Sequence, residues 1–284
     1  MAKEYYLGID TSVLDRLQKF DDYAQNFKNF VTNKNLILLI PNGAAIEFCG
    51  RSILDESKKM AVWFSAFLKS FNIKIVLGKD WRFLIRKEMN CLFEKPPILS
   101  TKERQKLLHV LEDPQPRQDL IDDFQKRKKD LYKKDSMLVS LANEGTKNDV
   151  PGEADQVKER FENYNGPYED NLMLSLIFKK FGLKPKDVLI FSSRYKTAYI
   201  TAMLTEYYQF GLIVNKGIKS KSSNPIYERS GKQKNTHDDH KIVAECAYCN
   251  YFLTEDETLY KRCQELFGKK LLTLEPLKPL GNQN

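Results

Sequence analysis

Carboxylates occupy three positions at which the sequence predicts the end of a strand or the start of a helix, and a fourth that lies about one turn into a predicted helix. In an open parallel sheet, residues just beyond the carboxyl ends of the strands converge on the crevice where ligands bind. We therefore expect these acidic side chains to lie near one another. They are Asp10, Glu47, Asp238 or Asp239, and Asp256.

Clustered carboxylates suit one kind of reaction in particular. Hydrolysis of a phosphodiester at neutral pH requires an activated water and stabilisation of the charge that builds on the phosphoryl oxygens. One or two Mg²⁺ or Mn²⁺ ions supply both, and these hard cations prefer oxygen ligands. No Gly-rich phosphate loop is present, which argues against nucleoside-triphosphate chemistry of the P-loop type.

Alternating strand and helix patterns predict an α/β fold. Strands are expected at "KEYYLGID", "NLILLIP", "IKIVLG" (73–78), "KDVLIFSS" (186–193), "YFLT" (251–254) and "KKLLTL" (269–274). The run "NLILLIP" is apolar throughout, which is typical of a strand buried on both faces of a parallel sheet. Amphipathic helices are predicted after the first strand, after Asn42 as a cap, and over 56–71, 238–249 and 256–267.

The helical patterns between residues 80 and 185 interrupt this alternation. We predict a core formed by 1–79 and 186–284, with 80–185 as a helical insertion between the two parts. Residues 215–235 are polar and lack a hydrophobic period, so they are expected to form an exposed loop.

Three short segments, which carry four motifs, together resemble the PIN-domain nucleases. "YLGIDTSVL" is similar to their first strand, "IPNGAAIEFCG" to their second acidic motif, and "HDDHKIVAECAYCNYFLTEDETL" to their third and fourth, in the family's order. The match covers roughly residues 4–50 and 236–260. It implies a three-layer α/β/α fold with a central, mostly parallel sheet, and a metal-dependent nuclease that acts on RNA rather than DNA.

The resemblance also implies roles for individual residues. Asp10, Glu47, Asp238 and Asp256 would be catalytic carboxylates that bind Mg²⁺ or Mn²⁺. The supporting polar residues are Thr11, Ser12 and Thr254. The sequence departs from the family pattern in two ways. The spacing between Glu47 and Asp238 is much longer than in compact members of the family. The third motif also has two adjacent aspartates: counting back from "NYFLTED" favours Asp238 as the site residue, whereas the apolar phase of "IVA" fits Asp239.

The same carboxylates have simpler interpretations as helix caps. Asp10 at a strand-to-helix junction is an ordinary N-cap, and Thr254 with Glu257 fits a capping box. Two other functions therefore remain open. One is a catalytically inactive PIN-like module that binds nucleic acid or protein, and the other is a small-molecule phosphohydrolase.

A zinc site is the competing interpretation of the late histidines and cysteines. The possible ligands are His237, His240, Cys246, Cys249 and Cys263. Cys246 and Cys249 lie one helical turn apart on the apparent apolar face, and the sequence contains no second Cys-x-x-Cys. We therefore predict core thiols.

Charge indicates a nucleic-acid partner. The net charge is +8, with 46 basic and 38 acidic residues, and five basic residues in the polar loop are candidate phosphate contacts. They are Lys219, Lys221, Arg229, Lys232 and Lys234. No apolar run approaches the length of a membrane helix, so no membrane partner is expected. We predict a cytoplasmic location, with a homo-oligomer or a protein partner bound through the insertion.

Overall fold

The described residues form a five-stranded, all-parallel sheet covered by helices. The computed structural model describes residues 4–51, 53–88, 93–111, 118–119, 121–126, 196–197, 200, 236–267 and 274–280. The strands are β1 (Tyr5–Ile9), β2 (Leu36–Ile40), β3 (Ile75–Leu77), β4 (Tyr251–Leu253) and β5 (Glu275–Leu277). Their order across the sheet is β3-β2-β1-β4-β5. The predicted α/β class with a parallel sheet is confirmed.

Helices connect and cover the strands. Those in the described part of the chain are α1 (Thr11–Lys19), α2 (Asp21–Asn33), α3 (Asn42–Cys49), α4 (Leu54–Ser70), α5 (Trp81–Glu88), α6 (Thr101–Leu111), α7 (Thr236–Glu245) and α8 (Glu257–Phe267). Helices α5 and α6 lie in the predicted insertion, most of whose remaining residues fall outside the described part of the chain. The division into a core and an insertion stays a prediction.

One predicted boundary differs from the structure, and two predicted strands lie wholly or mostly outside the described residues. The last described strand is Glu275–Leu277, and residues 269–273 of the strand predicted at 269–274 lie outside the described residues. Helix α7 ends at Glu245 instead of continuing to residue 249, because the chain turns there to enter β4 and the Asn250 N–H donates to the Tyr6 carbonyl (2.9 Å). The strand predicted at 186–193 lies outside the described residues.

The direction of the chain across the sheet reverses at β1. β1 pairs with β2 on one side and with β4 on the other, with Gly8 opposite both Leu39 and Phe252. The Asp10 N–H extends the second pairing by donating to the Leu253 carbonyl (3.1 Å). A reversal of this kind leaves a crevice at the carboxyl ends of the two central strands, which is where ligands bind in open α/β sheets.

Aromatic side chains fix α3 against α4. The Phe48 ring lies 5.3 Å from that of Trp63, which stacks on Phe67 at 5.0 Å, and Phe67 lies 4.7 Å from Phe71. Rings at these separations contribute roughly 0.5–1.5 kcal/mol per pair beyond the apolar area they bury. This packing holds in place the helix that carries Glu47.

Gly8 allows the chain after α7 to approach the sheet closely. A Cβ at Gly8 would lie 2.4 Å from the Cys246 Sγ and 3.3 Å from the Cys249 Sγ. Both cysteines are free and buried, at 0% and 1% exposed, and burial raises the pKa of the Cys246 thiol. The prediction of core thiols is confirmed for this pair and for the buried Cys263. No described helix is both long and apolar enough to span a membrane.

Gly8→Ala is expected to destabilise the fold by roughly 1–3 kcal/mol, because the new methyl group would overlap the Cys246 side chain. Denaturant unfolding would measure the loss. Gly78→Ala is the matched control, since a Cβ there would approach no atom more closely than 3.3 Å. Equal effects of the two substitutions would contradict the close packing at Gly8.

Candidate carboxylate site

Asp10 is a buried carboxylate at the point where the sheet reverses direction. It is 3% exposed and is the N-cap of α1, with extended backbone (φ −88°, ψ 167°). Its Oδ1 accepts a hydrogen bond from the Thr11 N–H, and its Oδ2 accepts from the Ser12 and Thr254 hydroxyls, each at 2.7 Å. The capping interpretation is therefore correct for Asp10, and Thr254, which follows β4, donates a further hydrogen bond to the same carboxylate.

Burial raises the pKa of Asp10, although the hydrogen bonds from Ser12, Thr254 and Thr11 oppose that change. Each of these donors is a neutral group. Because Asp10 is removed from water and its hydrogen-bond donors are neutral, a bound cation would further stabilise its charged form.

Two hydroxyl groups connect the ends of β1 and β4. The Ser12 hydroxyl accepts a hydrogen bond from the Glu255 N–H (2.9 Å), and the Thr254 hydroxyl accepts from the Asp256 N–H (3.1 Å). Each hydroxyl therefore accepts from backbone while donating to Asp10. Together they fix the loop after β4 against the first turn of α1.

Glu47 reaches the same junction from α3. Its Oε2 accepts a hydrogen bond from the Thr11 hydroxyl (2.7 Å), and Thr11 also donates its backbone N–H to Asp10. Thr11 is 6% exposed and Glu47 is half-buried. One threonine therefore contacts both predicted site carboxylates, although they stand 37 positions apart in the chain.

Asp256 lies beside the site but caps its own helix. It is exposed, and its Oδ1 accepts from the Thr258 N–H (2.7 Å) and the Leu259 N–H (3.0 Å) at the start of α8. The predicted capping box of Thr254 with Glu257 is therefore wrong. The Thr254 hydroxyl donates to Asp10, and Asp256 takes the capping position.

The third acidic motif lies in the first turn of α7. Asp239 is half-buried, and the side chain of Asp238 lies outside the described set. Among the side chains that the structure describes, no group of three or more His, Cys, Asp or Glu residues is arranged to hold a metal ion. The basic candidates Lys219, Lys221, Arg229, Lys232 and Lys234 also fall outside the described residues.

Glu245 is an acidic residue that the sequence analysis did not single out. It is 3% exposed at the end of α7, and its two carboxyl oxygens accept from the Gly43 N–H of α3 (2.7 Å) and the Trp81 N–H of α5 (3.0 Å). Burial raises its pKa to about 8, while these N–H groups oppose the rise. Its only signal in the sequence was an acidic residue inside the apolar run "IVAECAYC".

This interaction corrects the predicted cap of α3. Asn42 is the first residue of the helix, the N-cap position belongs to Pro41, and Pro41 makes no side-chain capping bond. Glu245 supplies the acceptor instead. The positive ends of both helix dipoles favour the charged form of this carboxyl group, so they act with the N–H groups against the rise in its pKa.

Thr254→Val is expected to destabilise the protein by roughly 1–3 kcal/mol. The substitution keeps the shape of the side chain but leaves the buried Asp10 carboxylate without one donor and the Asp256 N–H without its acceptor. The measurement is the free energy of unfolding. Thr258→Val is the matched control, because Thr258 is exposed and contributes only its backbone N–H to Asp256; equal losses would argue against a special role for the Thr254 hydroxyl.

The pKa of Glu245 predicts how stability varies with pH. Its pKa rises from 4.5 to about 8 on folding, so the folded protein retains a proton that the unfolded chain has already lost. The stability contributed by this protonated group is complete below pH 4.5 and disappears as the pH rises to about 8. Relative to Glu245→Gln, the wild type should lose on the order of a few kcal/mol of unfolding free energy over that interval.

Unfolding of both proteins across this pH range would check the prediction. Glu56→Gln, at an exposed position in the first turn of α4, is the control and should follow the wild type. A constant difference between wild type and Glu245→Gln at every pH would contradict it.

Comparisons of the chain with protein-family models, with curated proteins and with solved structures found no match. The resemblance to PIN-domain nucleases therefore rests on the four motifs and stays a prediction.

Proposed function

We propose that this protein is a metal-dependent nuclease that hydrolyses phosphodiester bonds in RNA. The observation that carries the proposal is the position of Asp10. It is a buried carboxylate at the reversal point of a parallel sheet, held by the Ser12 and Thr254 hydroxyls. A group so costly to bury is typical of a functional site when it faces the crevice at the strand ends.

The available donors fit a hard divalent cation. Carboxylate oxygens are the ligands that Mg²⁺ and Mn²⁺ prefer, and Mg²⁺ is commonly bound by one or two carboxylates together with water and substrate phosphate. Asp10 and Glu47 would hold the ion, together with an aspartate of α7 (Asp238 or Asp239) and Asp256. When bound, the ion would supply neutralisation of phosphate charge and a lower pKa for a water molecule.

The protein's own groups would orient this donor set. Ser12 and Thr254 both donate to the Asp10 Oδ2, so the carboxylate plane is fixed before substrate arrives. The Thr11 hydroxyl fixes Glu47 in the same way. Such pre-organisation spares the reaction the cost of ordering these side chains.

Asp10→Asn tests this proposal. With single-stranded RNA and Mn²⁺, the substitution should lower the rate of cleavage by roughly a hundredfold or more, because it removes a charged ligand whose cation stabilises the transition state by several kcal/mol. Asp22→Asn, on the exposed side of α2, is the control and should leave the rate unchanged.

Three results would contradict the nuclease. In the first, neither RNA nor DNA is cut and no divalent metal is bound. In the second, nucleic acid is bound both in EDTA and with Mn²⁺ but is never cut, and Asp10→Asn leaves this binding unchanged, which is the behaviour of an inactive binding module. In the third, nucleotides or simple phosphate esters are hydrolysed and polymers are not, which identifies a small-molecule phosphohydrolase.

A further inference from the structure

One face of α5 carries positive charge and an exposed aromatic ring. Arg82, Phe83, Arg86 and Lys87 are exposed, whereas Leu84, Ile85 and Glu88 on the other side of the helix are buried. The exposed four recur at i, i+1, i+4 and i+5, so they form one stripe along the helix. We call these four residues the α5 cationic face.

Cations flank the aromatic ring within this face. Phe83 is 37% exposed, with the Lys79 Nζ at 5.1 Å and the Lys87 Nζ at 5.9 Å from its ring centre. The Arg82 guanidinium lies 5.4 Å from the ring of Trp81. Rings flanked by cations are the arrangement in which bases stack and phosphates are neutralised together.

Fixed contacts hold the start of α5. The Asp80 Oδ1 accepts from the Arg82 N–H (2.9 Å), and the Glu245 Oε1 accepts from the Trp81 N–H. Glu245 belongs to α7, the helix whose first turn carries Asp238 and Asp239. The start of α5 therefore contacts the end of α7, a helix to which the proposed function assigns one metal ligand.

The sheet also places the start of α5 at the edge formed by the carboxyl ends of the strands, where Asp10 lies. α5 follows the carboxyl end of β3, and β3 lies two strands from β1. Two strand spacings are roughly 10 Å. The α5 cationic face therefore begins on the carboxylate edge of the sheet, a short distance from Asp10.

We infer that the α5 cationic face binds a single strand of RNA and leads it to the carboxylate site. The inference rests on the proposed function and adds a binding surface to it. Arg82, Arg86 and Lys87 contact backbone phosphates, and unpaired bases stack on Phe83. The positive charge compensates locally for the carboxylates, which repel phosphate.

RNA binding without turnover tests the surface separately from catalysis. Fluorescence anisotropy in EDTA, with every protein carrying Asp10→Asn, keeps the RNA intact. In this background Arg82→Gln with Arg86→Gln should reduce the slope of log Kd against log salt by roughly 1.4, the value for two lost phosphate contacts on a single strand. Phe83→Ala should weaken binding about tenfold, and it should do so for single-stranded RNA and not for a duplex.

Matched controls are available on other helices and loops. Lys19→Gln with Lys34→Gln removes the same charge from the exposed end of α1 and from the loop before β2. Phe20→Ala removes a ring that is 50% exposed and also pairs with a cation, the Arg16 guanidinium at 5.6 Å. These controls should retain the salt slope and the affinity of the Asp10→Asn protein.

Equal losses in the α5 variants and the controls would overturn the inference, as would an unchanged affinity for Phe83→Ala. Photocrosslinking of 4-thiouridine RNA to the unsubstituted chain provides a second measurement that no folding defect can affect. Crosslinks to Trp81 or Phe83 are expected, and crosslinks confined to other peptides would overturn it. The proposed nuclease activity is tested separately: loss of RNA cleavage in the Asp10→Asn protein would support it whether or not the α5 cationic face binds RNA.

Discussion

Burial of the Asp10 carboxylate is the constraint on which the centre of this structure depends. Removing a charged oxygen from water is expensive unless hydrogen bonds replace those it loses. Here the replacements come from the first turn of α1 and from Thr254 beyond β4, which is 244 positions away in the chain. The two central strands can end where they do only if both sets of donors reach the same carboxylate. The ends of β1 and β4, and the starts of α1 and α8, therefore form one hydrogen-bonded unit.

Two other buried acidic side chains among the described residues also accept hydrogen bonds from distant parts of the chain. Glu245 accepts N–H groups from the first turns of α3 and α5, and Glu88, at 0% exposed, accepts from the Thr197 N–H and the Tyr248 hydroxyl, each at 2.7 Å. In each case an acidic side chain from one element satisfies the backbone of another. Because such bonds are directional, they set the relative positions of helices that apolar packing alone would leave free to slide.

Local patterns in the sequence were sufficient to predict four of the five described strands, β1 to β4. The unbroken apolar run of β2 indicated a strand buried on both faces, and all five of its residues are buried. The position of Asp10 at the end of β1 followed from the same kind of pattern. The predicted end of α7 was wrong, because a turn and the hydrogen bond from the Asn250 N–H to the Tyr6 carbonyl override the helical periodicity there.

The sequence by itself therefore determined the α/β alternation, the apolar strands, the placement of Asp10 at the end of a strand and the placement of Glu47 on the helix after β2, because each depends on neighbours a few positions away. Only the tertiary structure decided which groups satisfy the buried carboxylates. Asn42 looked like the cap of α3, yet the acceptor is Glu245, 202 positions from the Gly43 N–H that it binds. Thr254 looked like a cap for α8, yet its hydroxyl donates to Asp10. Such partners are selected by the desolvation of buried charge, and that cost exists only once the chain has packed.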